Sequence, residues 1–238
     1  MSKALILALL IGCLVNILSG QDSTSKKKKF GMGCGGVELG YGQMDISKLQ
    51  IFTPEGTDAL SRRQLIIGGT GHAIIDKLVI GGTGFTVIGD EIKTDSNRTS
   101  LSGGMGTFDF GYLIYNSSNL KIYPMVGLGG GGYGLLSTTT KNINANQISR
   151  NSGREISISH GSFIIDFSLN FNLMPAPQFN KEENSYGGFM TGLKLGYTYS
   201  LPNNDWRYSG GYISGGPKFG VNLFYLKLII GGFGSNTK

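Results

Sequence analysis

The segment His160-Gly161-Ser162 places an imidazole and a hydroxyl on one face of a predicted strand. A serine acts as a nucleophile when a base within hydrogen-bond reach takes its proton. In an extended strand, residues i and i+2 lie on the same face with Cα atoms roughly 7 Å apart. Ser162 is therefore a candidate nucleophile and His160 its candidate base. The alternating pattern turns both side chains toward the interior of the predicted sheet, away from surrounding lipid.

A second candidate site is a glycine-rich segment that occurs twice, as LIIGGTG in 65–71 and as LVIGGTG in 78–84. A strand followed by glycines is typical of a dinucleotide-phosphate site, but that site also needs a helix directly after the glycines. The residues that follow, beginning with His72 and Phe85, have no helical period. The repeat therefore favours adjacent strands of a hairpin over nucleotide binding.

The sequence does not have the residue patterns of a metal site or of a nucleic-acid-binding surface. His72 and His160 have no partner ligands at metal-binding spacing. The basic residues form no stripe interleaved with aromatic side chains, although the net charge is +6. Much of that charge comes from Lys26–Lys29, a run typical of a solvated segment. We expect no cofactor, no metal site and no nucleic-acid partner.

The N-terminus resembles an export signal. Residues 1–20 carry Lys3, then an apolar run, then the small residues Ser19 and Gly20, which predicts a signal peptide. Cys13 follows Leu-Ile-Gly, so acylation of this cysteine in a lipoprotein is an alternative. Cleavage of 1–20 would leave Cys34 as the one cysteine, without a disulfide partner. We expect 21–30 to form a polar basic tail.

From Phe30 onward the hydrophobic pattern repeats every second residue, which is the period of a strand. The clearest case is 162–173, where Phe163 and Phe167 alternate with polar residues such as Asp166, with Ile164 as the exception. Turn residues divide the chain into eight strands. These predicted strands cover 31–43, 64–75, 77–89, 100–115, 120–136, 156–174, 187–201 and 218–233.

The connections between these strands alternate between short and long, as in membrane barrels with short periplasmic turns and longer outer loops. The pattern predicts an all-β fold, a membrane-spanning antiparallel up-and-down barrel over 31–233, with a C-terminal tail at 234–238. It resembles the small outer-membrane barrels of Gram-negative bacteria, such as the outer-membrane protein A and X types. The resemblance rests on architecture, implies outer-membrane localisation, and carries no residue motif for function.

His160-Gly161-Ser162 also resembles the His-x-Ser pair of barrel-shaped lipid A deacylases. That resemblance implies a barrel enzyme acting on outer-leaflet lipid. Phe163 stands where that family has an asparagine after the serine, which weakens it. The composition, with 40 glycines in 238 residues, also admits a secreted Gly-rich structural protein.

Strand parity assigns side chains to the two faces of the wall. We expect arginine at Leu195 to cost much more than arginine at Thr198, on the other face. The predicted lipid-facing set is Phe108, Phe110, Tyr112, Phe163, Phe167, Phe171, Leu193, Leu195 and Tyr197.

Four charged residues near the middle of their strands have the opposite parity: Glu38, Asp109, Asp166 and Lys194. We expect them to form a polar cluster that closes the lumen, with Lys194 paired to Asp166. The remaining carboxylates, Glu38 and Asp109, would then need water, a proton, or Lys218 or Arg207 reaching in from the outer mouth. Glycines 127, 129, 131, 192 and 196 would leave room for that water.

The leading hypothesis is a non-enzymatic, monomeric barrel in outer-membrane lipid, with a structural or surface role or limited solute passage. The polar loops at 137–155 and 202–217 are where an extracellular ligand would bind.

Overall fold

The computed structural model describes residues 31–46, 49, 62–93, 97–139, 155–175, 178–180, 185–208, 211–220 and 222–236. No helix among these residues is long and apolar enough to cross a bilayer. Eight long strands dominate this part of the chain. They are β1 (Gly31–Met44), β2 (Arg63–Ile75), β3 (Leu78–Lys93), β4 (Asn97–Tyr112), β5 (Leu120–Thr139), β6 (Glu155–Leu173), β7 (Ser185–Ser200) and β8 (Asn222–Asn236).

The eight strands form a closed antiparallel barrel. Each pairs with the next along the chain, and β8 pairs with β1 along its whole length. Tracing paired residues once round the ring from Phe171 on β6 returns to β6 at Gly161, ten residues away. Such a stagger is what tilted strands need in order to close. The predicted fold class is confirmed.

The two ends of the barrel differ in their connections. We call the end that holds Gly31 and Asn236 the terminal end, and the opposite end the loop end. Asp76 and Lys77 form a two-residue turn at the terminal end, where Asp76 has a φ of 55°, a left-handed conformation that Asp tolerates. The connections at the terminal end are 76–77, 113–119 and 174–184, and those at the loop end are 45–62, 94–96, 140–154 and 201–221.

The predicted strands match the observed ones with small shifts at their ends. The last strand begins later than the predicted 218–233, because 218–220 belong to the preceding loop and β8 begins at Asn222. β8 also continues through Gly234–Asn236, which the predicted boundaries place in the C-terminal tail. The predicted signal peptide at 1–20, the basic tail at 21–30, Cys13 and most of the loop at 137–155 lie outside the described residues.

The outer face of the wall is apolar. All nine predicted lipid-facing side chains point outward, with Phe108 53% exposed and Leu195 50% exposed. Outward apolar positions run from Phe189 on β7 to Leu201, which directly follows this strand. That length is about 40 Å along a strand and about 30 Å along the barrel axis at a tilt near 40°. The hydrocarbon core of a bilayer is about 30 Å thick, so the apolar face matches it.

Candidate functional site in the barrel lumen

The lumen is filled in three layers. An apolar cluster at the loop end includes Phe85, Tyr133 and Ile164, and a second at the terminal end includes Tyr123 and Met190. Buried polar and charged side chains lie between them on inward positions of the strands. Ile164, the exception to the predicted alternation, faces inward and belongs to the loop-end cluster.

The four residues predicted for the lumen all point inward and are buried. Glu38 and Lys194 have no exposed surface, and Asp109 and Asp166 have almost none. Each lies where strand parity places it, on β1, β7, β4 and β6 respectively. Their contacts differ from the predicted ones.

Glu38 is held between two lysines. Lys227 Nζ donates to Glu38 Oε2 at 2.9 Å, and Lys194 Nζ lies 3.5 Å from Glu38 Oε1. Lys227 also lies 3.6 Å from the ring centroid of Phe85 and 4.3 Å from that of Tyr225. A buried cation gains attraction from ring faces where water is absent. Lys227 is thus a basic partner of Glu38, a role that was open to Lys218 or Arg207 in the sequence.

The predicted ion pair between Lys194 and Asp166 is wrong. The register of β6 with β7 sets Asp166 opposite Thr198, whereas Lys194 lies opposite Asn170. Asp166 instead accepts hydrogen bonds from Thr198 Oγ1 at 2.6 Å and from Tyr225 Oη at 2.7 Å. Its carboxylate is satisfied by two hydroxyls.

Asp109 is the acceptor at the centre of a second group. Thr83 Oγ1 donates to Asp109 Oδ2 at 2.5 Å, and His72 Nε2 lies 3.5 Å from the same oxygen. Lys194 Nζ donates to Thr83 Oγ1 at 2.9 Å. Thr70 Oγ1 lies 3.0 Å from His72 Nε2 and 3.1 Å from Thr83 Oγ1. Lys194 thus links the Glu38 group to the Asp109 group.

The two glycine-rich repeats supply this second group. They pair with each other across β2 and β3, with Thr70 opposite Thr83 and Gly71 opposite Gly82. This register agrees with the hairpin interpretation of the repeat. Both threonines point inward and are buried.

Sequence reasoning missed Lys227, Thr70, Thr83, His72 and Tyr225 as members of the network. Lys227 lies in the run LFYLKLII, where apolar residues occupy both faces and hide the alternation. The available signal was the charge itself, because a lysine inside a membrane strand must face the lumen. Its neighbours Leu226 and Leu228 face outward accordingly.

Atoms of neighbouring strands occupy the space that a Cβ would fill at the inward glycines that are predicted to leave room for water. A Cβ on Gly127 would collide with the Asp109 carboxylate, and one on Gly192 with the Asn172 side chain. A Cβ on Gly196 would collide with the Tyr225 hydroxyl, and one on Gly129 with the carbonyl oxygen of Gly106. A Cβ on Gly131 would lie 2.8 Å from Met105 Cγ.

The candidate catalytic pair lies at the loop end of the lumen. His160 and Ser162 face inward, and His160 packs against Trp206 and Phe219 with centroid distances of 4.7 and 5.5 Å. His160 Nε2 lies 3.4 Å from the carbonyl oxygen of Asn203. These contacts come from the loop that joins β7 to β8, whose short strand Trp206–Tyr208 pairs with 158–160. The pair therefore lies inside the barrel and not on its lipid-facing surface.

The outer and inner faces together decide the class of fold. An apolar outer wall with a polar layer inside is what a barrel needs in order to cross a bilayer. The chain is a membrane-type β-barrel. No protein-family model matches it, and no curated protein is significantly similar.

Several solved structures have a similar fold. Ail, the attachment invasion locus protein of Yersinia pestis, is 13% identical with a TM-score of 0.44, covering 84% of this chain and 98% of that one. The outer membrane protein OprG from Pseudomonas aeruginosa is 11% identical with a TM-score of 0.37, over 88% of this chain and 96% of that one. The outer membrane protease OmpT from Escherichia coli is 10% identical with a TM-score of 0.34, over 92% of this chain and all of that one. At these values the similarities establish no activity for this chain.

Proposed function

We propose that this chain is an outer-membrane barrel with a structural or surface-interaction role, monomeric, and with a lumen closed to ordinary solutes. The loop end faces the outside of the cell and the terminal end faces the periplasm. The observation that carries the proposal is the filled lumen, in which the Lys194 side chain contacts both Glu38 and Thr83.

Size and packing support a closed barrel over a channel. The interior of an eight-stranded barrel is just wide enough for side chains to fill it. Here the polar layer is covered at the loop end by an apolar cluster that contains Trp206 and Phe219, and at the terminal end by one that contains Tyr123. A hydrated ion would have to displace both clusters and break the contacts of Lys194. A Gly-rich fibre is less well supported, because wall strands that pair in a closed ring leave no wall edge for stacking.

A planar-bilayer recording of the purified full chain tests the closed lumen. We expect little or no steady conductance, while unheated gel samples from the outer-membrane fraction migrate differently from heated ones. Large, reproducible open-channel currents from the unmodified protein would overturn the closed lumen. A product found only in soluble or fibrous fractions would overturn the membrane barrel itself.

We propose further that the chain is not an enzyme. A lipid-acting site would need its nucleophile open to the outer leaflet, whereas Ser162 faces the lumen and its candidate base His160 is buried against Trp206 and Phe219. Cells that produce the chain, the His160→Gln variant or the Ser162→Ala variant should have the same lipid A acylation by mass spectrometry. Loss of an acyl chain that depends on Ser162 would establish the catalytic alternative.

A further inference from the structure

We propose that the hydrogens of the polar layer have one allowed order, and that this order fixes His72 as the tautomer with its hydrogen on Nε2. The inference goes beyond the closed lumen, because it concerns where individual protons lie. It rests on four side chains that form a ring of contacts, namely Thr70, His72, Thr83 and Asp109.

The order begins at the two groups whose roles are fixed by chemistry. An ammonium group has donors and no acceptor, and an ionised carboxylate has acceptors and no donor. Lys194 Nζ therefore donates to Thr83 Oγ1 at 2.9 Å, and Asp109 Oδ2 accepts from Thr83 Oγ1 at 2.5 Å. The single hydroxyl hydrogen of Thr83 is thereby used.

The contact between the two threonines must then run the other way. Thr83 has no second hydrogen, so at 3.1 Å the donor is Thr70. The alternative acceptor for Thr70, the carbonyl oxygen of Gly82, is 3.5 Å away, at the limit of a hydrogen bond. The single hydrogen of Thr70 is therefore also used.

His72 completes the ring as a donor. Its Nε2 lies 3.0 Å from Thr70 Oγ1, which can now only accept, so Nε2 carries the hydrogen. The Asp109 carboxylate oxygen lies 3.5 Å from Nε2, at the limit of a hydrogen bond, and is the weaker of the two contacts that favour this state. An unprotonated Nε2 would direct its lone pair at both oxygens, and an unsatisfied contact of this kind is costly in a buried site.

The side chains therefore form a chain of hydrogen bonds across the barrel, in which the donor and the acceptor of each contact are fixed. Lys194 is on β7 and Thr83 is on β3, which are opposite each other in the ring of eight strands. The donors run from Lys194 through Thr83 to Asp109, and from His72 through Thr70 to Thr83. Every hydroxyl in the ring has one acceptor for its one hydrogen, so the protons are held in place.

Nitrogen-15 NMR of the full chain in detergent micelles tests the proposed order. The chain has two histidines, and His160 serves as an internal reference, because its Nε2 lies 3.4 Å from the carbonyl oxygen of Asn203, an acceptor that favours hydrogen on Nε2. The His72→Gln variant assigns the two sets of signals. We expect a protonated Nε2 for His72 near neutral pH. A His72 signal with hydrogen on Nδ1 alone would overturn the proposal.

A matched pair of variants tests whether Thr83 sets this order. Thr83→Val removes the acceptor for Thr70, which frees the Thr70 hydrogen to donate to His72, so the Nδ1–H tautomer should become detectable. Thr83→Ser keeps the hydroxyl and should retain the unmodified spectrum. Identical His72 spectra for the valine and serine variants would show that Thr83 does not set the order. If the valine variant fails to fold, the spectra of the unmodified protein and of Thr83→Ser still decide the tautomer, and a change with serine contradicts the order.

Discussion

At the scale of single residues, the main feature is a set of charges buried inside a membrane-sized wall. Glu38 neutralises part of the charge of two lysines, and both lysines are fully buried. Removing one partner of a buried ion pair costs about 3–5 kcal/mol, because the other charge remains without its counter-ion. The number of charges left behind therefore decides the cost of a substitution.

Glu38→Leu should destabilise the barrel more than Lys227→Met. The leucine variant leaves Lys194 and Lys227 without their shared carboxylate, so we expect a loss of about 3–5 kcal/mol or more. The methionine variant leaves Glu38 with Lys194 and should lose less. Urea unfolding of the refolded proteins, followed by tryptophan fluorescence, measures both. An equal loss in the two variants would show that Glu38 is not shared.

At the scale of the strand, alternation directs side chains either to the lipid or to the lumen. Both environments restrict which side chains can be substituted there. Thr198 is fully buried and donates to Asp166, so we expect arginine there to be costly as well, in contrast to the expectation from parity that it would cost much less than at Leu195. A filled interior has no space for a longer side chain, and overpacking a well-packed interior is itself destabilising. Both faces of β7 therefore limit substitution, for different reasons.

Leu195→Arg tests the lipid face without involving the lumen. A charge near the bilayer midplane on a barrel wall should cost about 2–4 kcal/mol. Leu195→Phe is the matched control, since it keeps an apolar side chain at the same outward position, and it should be close to neutral. The free energy of folding into lipid vesicles compares the two. Equal stability of these variants would show that Leu195 does not face hydrocarbon.

Two adjacent glycines on β5 offer a second comparison. A methyl group on Gly129 would collide with the carbonyl oxygen of Gly106, whereas one on Gly130 meets nothing within 4 Å. Gly129→Ala should therefore cost about 1–3 kcal/mol through displacement of backbone. Gly130→Ala should be neutral or slightly stabilising, because alanine loses less conformational freedom than glycine. Thermal shifts of the folded gel band rank the two variants, and the reverse ranking would contradict the register of β4 with β5.

At the scale of the whole molecule, closure joins charges that are far apart in the chain. Pairing of β8 with β1 brings Lys227 to Glu38, and β7 brings Lys194 to Thr83 on the opposite wall. The N-terminal half supplies Glu38 and Asp109, and the C-terminal half supplies the lysines of this layer. The polar layer is therefore complete only when the barrel is closed.

The two ends of the molecule should be distinguishable on living cells. Tyr212 is 79% exposed at the loop end and Tyr115 is 50% exposed at the terminal end. A membrane-impermeant maleimide should label Tyr212→Cys on intact cells, and should label Tyr115→Cys only after lysis. Cys34 is buried in the lumen and serves as the unlabelled background. Labelling of Tyr115→Cys alone on intact cells would mean that the topology is inverted.

The sequence by itself determined which side chains face the lumen, because the period of a strand is a local property of the backbone. It placed Glu38, Asp109, Asp166 and Lys194 inside, and it set the number of strands and most of their ends. Only the tertiary structure decided which of these groups meet. Contacts across a lumen depend on the register of every strand and on the stagger of the closed ring, and neither is encoded within one segment. That stagger brings Lys194 into contact with Glu38 and Thr83, whereas Asp166 accepts hydrogen bonds from two hydroxyls.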